Sequence, residues 1–308
     1  ICEYVMQDLY KGRPTTVKSG ANGMTAEQVL RAAIVKMLFG FTYKELAFHM
    51  VDSQSIRRFC QIGIADKGFK KSVLNKNIKA LSERTWEAVN QELIGYAKDQ
   101  KIEKGRQVRI DCTVVESNIH TPSDSSLLWD SVRVLTRLLH SAKNNYGLRQ
   151  LHFQDHQRRA KKRMVAIQYA KSNKARKPLY KDLLKVTRKS IGYVQSAIDL
   201  NYASPSSPSM MLLCCELKQF AKLAQQVFNQ TERRIIHGES VPACEKIVSL
   251  FEPHTDIIVK DRRETFYGHK VCLTGGASNL IVDCLITDGN PADTSLTETM
   301  LDRQNEIY

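Results

Sequence analysis

The order of apolar and polar residues predicts helices in the first part of the chain. Thr25 and Gln28 form a capping box, and Gly40, which tolerates positive φ, ends the helix that follows. A second capping box at residues 42–45 opens another helix. Apolar residues of the first helix recur at helical spacing: Val29, Leu30, Ala33, Ile34, Met37 and Leu38. Helix, glycine turn and helix is the outline of a helix-turn-helix, although a bundle without a DNA-binding role has the same pattern.

Two further helical regions follow from the same periodicity. One helix is predicted from Ser82 to Gln100, with Trp86, Val89, Leu93 and Tyr96 on its buried side. A second helical block begins near residue 123, capped by Ser123 or Asp124, and continues to about His237 with a break at residues 204–208. Within it, Asp130 is expected to be solvated. Residues 1–24 are predicted to be irregular, with a linker-like stretch at 18–23.

A short segment from Gln107 to Glu116 alternates as a β-strand does. One face carries Val108, Ile110, Cys112 and Val114; the other carries Arg109, Asp111, Thr113 and Val115. An acid in the middle of a strand is costly to bury without a partner. Asp111 therefore either pairs with a lysine or arginine, or faces an open site where it binds a divalent cation, as in metal-dependent phosphoryl-transfer enzymes.

More strands are predicted near the end of the chain. Residues 256–260 form a short strand, and residues 269–274 and 280–286 form a hairpin around a glycine-rich turn. A turn at 288–291 precedes a helix that Asp293 or Thr294 caps and that continues through Leu301. Asp283, in mid-strand, is a candidate partner of Asp111, whereas Asp288 and Asp293 suit turn and cap roles.

The net charge of +14, with a pI near 9.4, favours a polyanionic partner, nucleic acid before membrane. Between residues 140 and 190 there are 15 basic side chains and only 2 acidic ones, which favours a helical arm lying along DNA phosphates. No apolar run approaches the roughly 20 residues that span a bilayer, and no signal peptide is evident. The eight cysteines lack C-x-x-C spacing, so a reducing cytoplasm without structural zinc is expected.

Eleven basic residues are candidates for contact with DNA phosphates, which would position the protein without reading bases. In the N-terminal helices they are Lys44, Arg57 and Arg58; in the basic segment they are Arg158, Arg159, Lys161, Lys162, Arg163, Lys174, Arg176 and Lys177.

The Asp111 strand, residues 117–128, Tyr267–Val271 and Asp288–Thr294 together resemble the DDE transposases of bacterial insertion sequences, most closely the ISNCY-type group. The resemblance covers Thr25 to Tyr308. It implies an α+β protein with a helical DNA-binding domain at 25–105. An incomplete ribonuclease-H-like catalytic domain follows at 106–308, interrupted by a basic helical insertion at about 123–250.

The resemblance also implies chemistry and partners. Asp111 would be the first catalytic aspartate and a ligand of Mg²⁺ or Mn²⁺. The partner would be double-stranded DNA, both the terminal repeats of the element and its target, bound by a homodimer in the bacterial cytoplasm at the nucleoid. Lys44, Arg57 and Arg58 would belong to the domain associated with terminal-repeat recognition.

In the resembled family, a second aspartate and then a glutamate lie beyond the last predicted helix, past Tyr308. The chain, which begins at Ile1, is therefore expected to be part of a longer transposase and inactive in catalysis alone. Two alternatives stay open. One is a non-catalytic DNA-binding protein, such as a truncated transposase copy; the other is an RNA-binding protein, which the few aromatic residues of the basic segment disfavour.

Overall fold

A computed structural model describes residues 1–11, 23–202, 208–260 and 264–307. The linker expected at 18–23 and the break expected at 204–208 lie outside these residues, apart from Gly23 and Pro208. The chain forms two compact units. The first comprises residues 1–109 with 274–283, and the second comprises residues 110–273 with 284–307.

The first unit contains six helices among its described residues. They are α1 (Cys2–Tyr10), α2 (Ala26–Phe39), α3 (Tyr43–Asp52), α4 (Gln54–Phe59), α5 (Lys71–Ile78) and α6 (Glu83–Asp99). Both predicted capping boxes are confirmed, at Thr25 with Gln28 and at Thr42 with Glu45. Gly40 ends α2 with a φ of 66°, as predicted. Local sequence therefore determines where α2 and α3 begin, and their apolar sides meet in one core.

The expectation that residues 1–24 are irregular is wrong for residues 2–10, which form α1. Val5 of this helix is fully buried in the core of the unit. Asp8 accepts hydrogen bonds from the backbone and hydroxyl of Ser82, at 2.7 and 2.9 Å, and from the Thr85 hydroxyl at 2.6 Å. Asp8 thus satisfies the start of α6 from a distant helix, and a tertiary contact of this kind has no local sequence signal.

The buried side predicted for α6 is also wrong. Trp86, Leu93 and Tyr96 are 36, 52 and 61% exposed. The buried residues are Thr85, Ile94 and Ala97. An amphipathic helix can carry apolar residues on more than one side, and here the side with smaller residues is packed.

The second unit is built around a block of four long helices. They are α7 (Asp124–Asn144), α8 (Gln157–Tyr169), α9 (Asn173–Tyr202) and α10 (Pro208–Thr231), followed by a π-helical turn at Glu232–His237. Helix α7 packs against all three others and supplies buried residues to two apolar clusters. None of the described helices combines the length and the apolar composition that a membrane crossing requires.

The strands form one four-stranded sheet. They are β1 (Val108–Glu116), β2 (Asp256–Lys260), β3 (Glu264–Gly276) and β4 (Ile281–Thr287), with α11 (Asp293–Ile307) after them. Strand β3 pairs with each of the others, in the order β1-β3-β2 with β4 also on β3. The pairing of β2 and β3 is antiparallel, from Asp256 opposite Gly268 to Lys260 opposite Glu264. The predicted mixed α+β class is confirmed, with a small antiparallel sheet.

Candidate functional site

Asp111 lies in the middle of β1, on the exposed face of that strand. Its Oδ1 atom accepts the Cys112 backbone N–H at 2.9 Å. Within the described ranges, no lysine or arginine forms an ion pair with this carboxylate. The described residues therefore do not show the alternative in which Asp111 pairs with a basic side chain. Its carboxylate is exposed to solvent.

The opposite face of β1 is occupied by a structural cluster. The Lys270 ammonium is buried and binds both the Pro291 carbonyl and the Asp293 carboxylate. The hydrogen bond from Lys270 lowers the pKa of Asp293. Burial, together with the neighbouring Cys272 thiol, raises the pKa of Cys112 to about 12. Asp293, the first residue of α11, thus anchors that helix to the sheet on the side of β1 opposite Asp111.

The other aspartates near the end of the chain occupy structural positions. Asp283 is buried in β4 with 7% of its surface exposed. Asp288 lies in the turn that continues into Gly289, whose φ is 70°. Asp256, on β2, accepts the Gly289 N–H at 3.0 Å.

A metal ion of the Mg²⁺ or Mn²⁺ type takes several oxygen ligands, and carboxylate oxygens suit it. Across residues 1–11, 23–202, 208–260 and 264–307, no three or more histidine, cysteine, aspartate or glutamate side chains are grouped so that they could hold one. Asp111 offers one ligand of the right chemistry. The described residues alone therefore do not fit a metal centre.

Two acids of α7 differ from expectation. Of the two caps expected for α7, Ser123 is confirmed as the N-cap, whereas the Asp124 carboxylate is buried and binds Arg234. Asp130 is not solvated but only 3% exposed, and it binds Arg133 at 2.6 Å. His120 lies 3.9 Å from the same carboxylate. Buried acids are retained where a basic partner compensates them, and the sequence pattern alone did not reveal these partners.

The exposed side of α9 carries a row of basic residues, which we call the α9 basic stripe: Lys174, Lys177, Lys181, Lys185 and Arg188. Successive members are three or four positions apart, so they lie on one side of the helix. Lys177 donates to the Ile236 carbonyl at 3.1 Å, and Arg188 lies 3.3 Å from Glu232. Lys174, Lys181 and Lys185 have no polar partner among the described residues and are available to a ligand.

The basic residues of α8 fall into two groups. Arg158, Lys161 and Lys162 are exposed. Arg159 and Arg163 instead bind Asp182 of α9, the second through its Nε at 2.5 Å. The hydrogen bond from Arg159, with that from Arg163, lowers the pKa of Asp182.

Arg176, at the start of α9, is likewise engaged: its Nε donates to the Ala170 carbonyl at 3.1 Å. The eight candidates of the basic segment are therefore not equivalent. Six of them are exposed, Arg159 included, but the side chains of Arg159, Arg163, Arg176 and Lys177 already have hydrogen-bond partners within the protein.

The three N-terminal candidates also differ from one another. Lys44, in the first turn of α3, and Arg58, in α4, are exposed. Arg57 donates to four backbone carbonyls, those of Val51, Gly63, Ile64 and Asp66. Its guanidinium organises the loop at 63–66, whereas the heads of Lys44 and Arg58 face solvent.

Two exposed lysines of the stripe, Lys181 and Lys185, were missed as candidate binding residues. The usable signal was the spacing of basic positions along α9, because both follow Lys177 at intervals of four. Counting charge over the whole segment hides which side of the helix each residue occupies.

Comparison with protein-family models, with curated proteins and with solved structures finds no match to this chain.

Proposed function

We propose that this protein is a DNA transposase of the insertion-sequence type, in which Asp111 is a metal-binding carboxylate of the catalytic centre. The observation that carries the proposal is the position of Asp111. Its carboxylate is in mid-strand, exposed, and without a basic partner in the described residues. An acid kept in such a place contributes little to folding and is suited to bind a cation.

The sheet supports the finer proposal of a ribonuclease-H-like fold. A strand that carries the aspartate, then a hairpin, then a helix is the order of the first three strands and first helix of that fold. Strands β1, β3 and β4 and helix α11 occur in this order, with β3 between its neighbours. Strand β2 is additional, as is the helical block from α7 to α10 that separates β1 from β3.

The α9 basic stripe supports DNA as the partner. From Lys174 to Arg188 the stripe spans about 21 Å, at 1.5 Å per residue of helix. Three of its lysines have no polar partner in the described part of the chain, so their charges are not compensated internally. Ammonium groups placed in this way bind phosphates electrostatically and release condensed counterions, which makes binding depend on salt.

A second candidate function is a DNA-binding protein without catalysis. It is favoured by the lack of a metal-binding group among the described residues, because the stripe needs no metal. Under this alternative Asp111 has no role, whereas under the first proposal it contributes one ligand to a centre completed by other acids.

The proposal is tested first through DNA binding. The anisotropy of a fluorescent duplex is measured with residues 1–308 at several salt concentrations, and a Lys181→Ala/Lys185→Ala variant is compared. Loss of two phosphate contacts should reduce the slope of log K against log salt by about 1.8, at about 0.9 per contact. A Lys181→Arg/Lys185→Arg variant retains the charges and should keep the slope. Lys222→Ala removes one charge from an exposed lysine on α10, outside the stripe, and should leave the slope unchanged.

Two results would overturn the proposal. One is the absence of duplex binding at low salt. The other is displacement of the duplex by an equal length of single-stranded RNA at lower concentrations than by unlabelled duplex, which would indicate an RNA-binding protein.

A further inference from the structure

Helix α7 is buried along most of its length, and the few side chains that stay accessible include two arginines. Between Asp124 and Leu139, only Trp129, Arg133 and Arg137 are not buried. They are four positions apart, so they form a single line along the helix. His140 continues this line. A helix at the centre of an apolar block thus exposes one narrow strip, and two of its side chains are guanidinium groups.

The strip borders a cavity of about 280 Å³ between α7 and the start of α8. Its lining consists of Arg133, Val134, Arg137, His140 and Gln157. We call this cavity the α7–α8 cleft. Its volume accommodates a phosphate group together with part of an attached sugar. All of its residues belong to the second compact unit.

Arg133 is fixed in place before any ligand arrives. Its Nε and Nη2 donate to Asp130 Oδ1 at 3.2 and 2.6 Å. Its guanidinium also lies over two aromatic rings, 5.0 Å from the centre of Trp129 and 5.7 Å from that of Phe251. Rigid donors lose little conformational entropy when they bind, and Nη1 has no hydrogen-bond partner in the described residues.

Arg137 is the cationic side chain of the cleft that lacks a partner within the described residues. Asp130 binds Arg133, whereas Asp155 accepts hydrogen bonds from the backbone and the side chain of Gln157, at 2.8 and 3.3 Å, and its Oδ2 lies 3.5 Å from His140 Nε2. Arg137 has no acidic partner among the residues that the structure describes. The Lys161 ammonium lies 5.9 Å from the Trp129 ring, at the opposite end of the strip from Arg137 and outside the lining of the cleft. The cationic group of the cleft that is free to bind an anion is therefore the Arg137 guanidinium, whose planar donors match phosphate oxygens.

We propose that the α7–α8 cleft is a binding site for a phosphate ester, held by Arg137 and by the free edge of Arg133. The phosphate is either a diester of a nucleic-acid strand or the monoester of a free nucleotide. The site is separate from Asp111 and from the α9 basic stripe, and it does not depend on the proposed function.

Trp129 provides a direct readout, because Arg133 lies against its ring. In a Trp86→Phe background Trp129 is the only tryptophan, and its fluorescence is followed during titration with inorganic phosphate, a nucleoside 5′-monophosphate or a short duplex. We expect a saturable change with at least one probe. Arg137→Ala should weaken that binding about tenfold or more, as for the loss of one charge-assisted hydrogen bond. Arg137→Lys should restore part of it.

The variants separate the site from general charge effects. Arg137 is exposed and makes no polar contact with the described residues, so its removal should leave the thermal unfolding midpoint unchanged. Lys222→Ala removes one charge elsewhere and should bind as the parent does. Saturation by the monophosphate identifies a nucleotide site, and saturation by the duplex alone identifies a backbone phosphate.

The inference is overturned if no probe gives a saturable change, or if Arg137→Ala binds as tightly as the parent. Its failure is distinguishable from failure of the proposed function. If the duplex binds through the α9 basic stripe and Arg137→Ala has no effect on any probe, only the proposal for the α7–α8 cleft fails. If the monophosphate binds and Arg137→Ala weakens that binding, but the duplex does not bind, only the transposase proposal fails.

Discussion

Arg234 Nη1 donates to both carboxylate oxygens of Asp124, each at 3.0 Å. The two residues are 110 positions apart, and they connect the first turn of α7 to the π-helical turn after α10. The Asp124 side chain is 7% exposed and that of Arg234 is 41% exposed. Burial raises the pKa of Asp124 even though Arg234 and, more weakly, Lys246 lower it, and Arg234 is the basic residue in direct contact with the carboxylate.

Arg234→Met should destabilise the protein at neutral pH by about 3 kcal/mol, at the lower end for a broken buried pair because the guanidinium is partly solvated. The cause is a buried carboxylate without its partner. Without Arg234 the pKa of Asp124 rises further, so the loss should be smaller at pH 5 than at pH 8. Urea unfolding at both pH values measures this. Asp124→Asn/Arg234→Met is the control and should recover part of the loss; an equal penalty at both pH values would contradict the explanation.

Glu103→Gln should destabilise the hairpin of β3 and β4. The Glu103 carboxylate is 3% exposed and accepts hydrogen bonds from the Ser278 hydroxyl and N–H and from the N–H groups of Lys104 and Gly105. The Ser278 hydroxyl contributes most to lowering its pKa from 4.5 to about 2. Losing the charge should cost about 2 kcal/mol, as for hydrogen bonds to a charged group.

The pH dependence of this effect has a definite sign. Because the folded pKa of Glu103 lies below its unfolded value, its contribution is complete above pH 4.5 and is lost as the pH falls towards 2. The difference in unfolding free energy between wild type and Glu103→Gln should therefore be constant from pH 7 to 5 and shrink below that. A difference that grows on acidification would be evidence against this assignment.

Gly268→Ala should destabilise the sheet by about 2 kcal/mol, as overpacking of a close contact does. A β-carbon at Gly268 would overlap the carbonyl oxygen of Val115 on β1, and backbone atoms cannot move aside easily. Gly275→Ala is the matched control on the same strand, because its β-carbon would lie at an ordinary 3.9 Å from the Arg109 carbonyl. Chemical unfolding of both variants tests the pair; similar losses would mean that the close approach is not the cause.

Asp182→Asn should strengthen duplex binding. Asp182 binds both Arg159 and Arg163 and offsets one of their two charges, and its removal frees two guanidinium groups for phosphate. The slope of log K against log salt should increase by up to about 1.8, from two further phosphate contacts. Asp199→Asn makes the same change in charge on α9, where, among the residues that the structure describes, the acid accepts only from Gln195. Equal effects from the two variants would show that net charge, rather than release of the arginines, accounts for the gain.

Asp111→Asn should leave duplex binding and stability nearly unchanged, within about 0.5 kcal/mol, as for an exposed substitution. Residues 1–308 should not cleave a supercoiled plasmid in Mg²⁺ with either side chain, because one carboxylate cannot organise a pair of metal ions. Gel analysis of the plasmid checks this. Mg²⁺-dependent nicking that Asp111→Asn abolishes would show instead that this chain completes a metal centre by itself.

Features set by neighbouring residues could be predicted from the sequence. The starts of α2 and α3 follow from Thr25 and Thr42, because a capping box needs only residues three positions apart. The period of β1 placed Asp111 on one face of the strand, and that face is the exposed one. The helix expected after the turn at 288–291 is present as α11, although Asp293 is its first residue rather than its cap and the helix extends beyond Leu301 to Ile307.

Features set by distant residues could not be predicted. Asp8 reaches Ser82, and Asp182 takes up Arg159 and Arg163; neither acid has a local pattern that identifies its partner. The packed side of α6 depended on which neighbours were present, and apolar size was a poor guide to it. Which basic residues are free to bind a partner is also a feature of this kind, because it depends on which acids lie beside them in the folded protein.

The pairing of Asp182 with two arginines also affects how the protein meets a partner. By offsetting one of the two charges of Arg159 and Arg163, it weakens the field around that pair relative to the field along Lys174, Lys181 and Lys185. An asymmetric charge distribution exerts a torque on the molecule at distances up to the Debye length, about 10 Å at 0.1 M salt. A polyanion would therefore orient the helical block so that the α9 basic stripe faces it before contact. The association rate would then depend on that orientation as well as on diffusion.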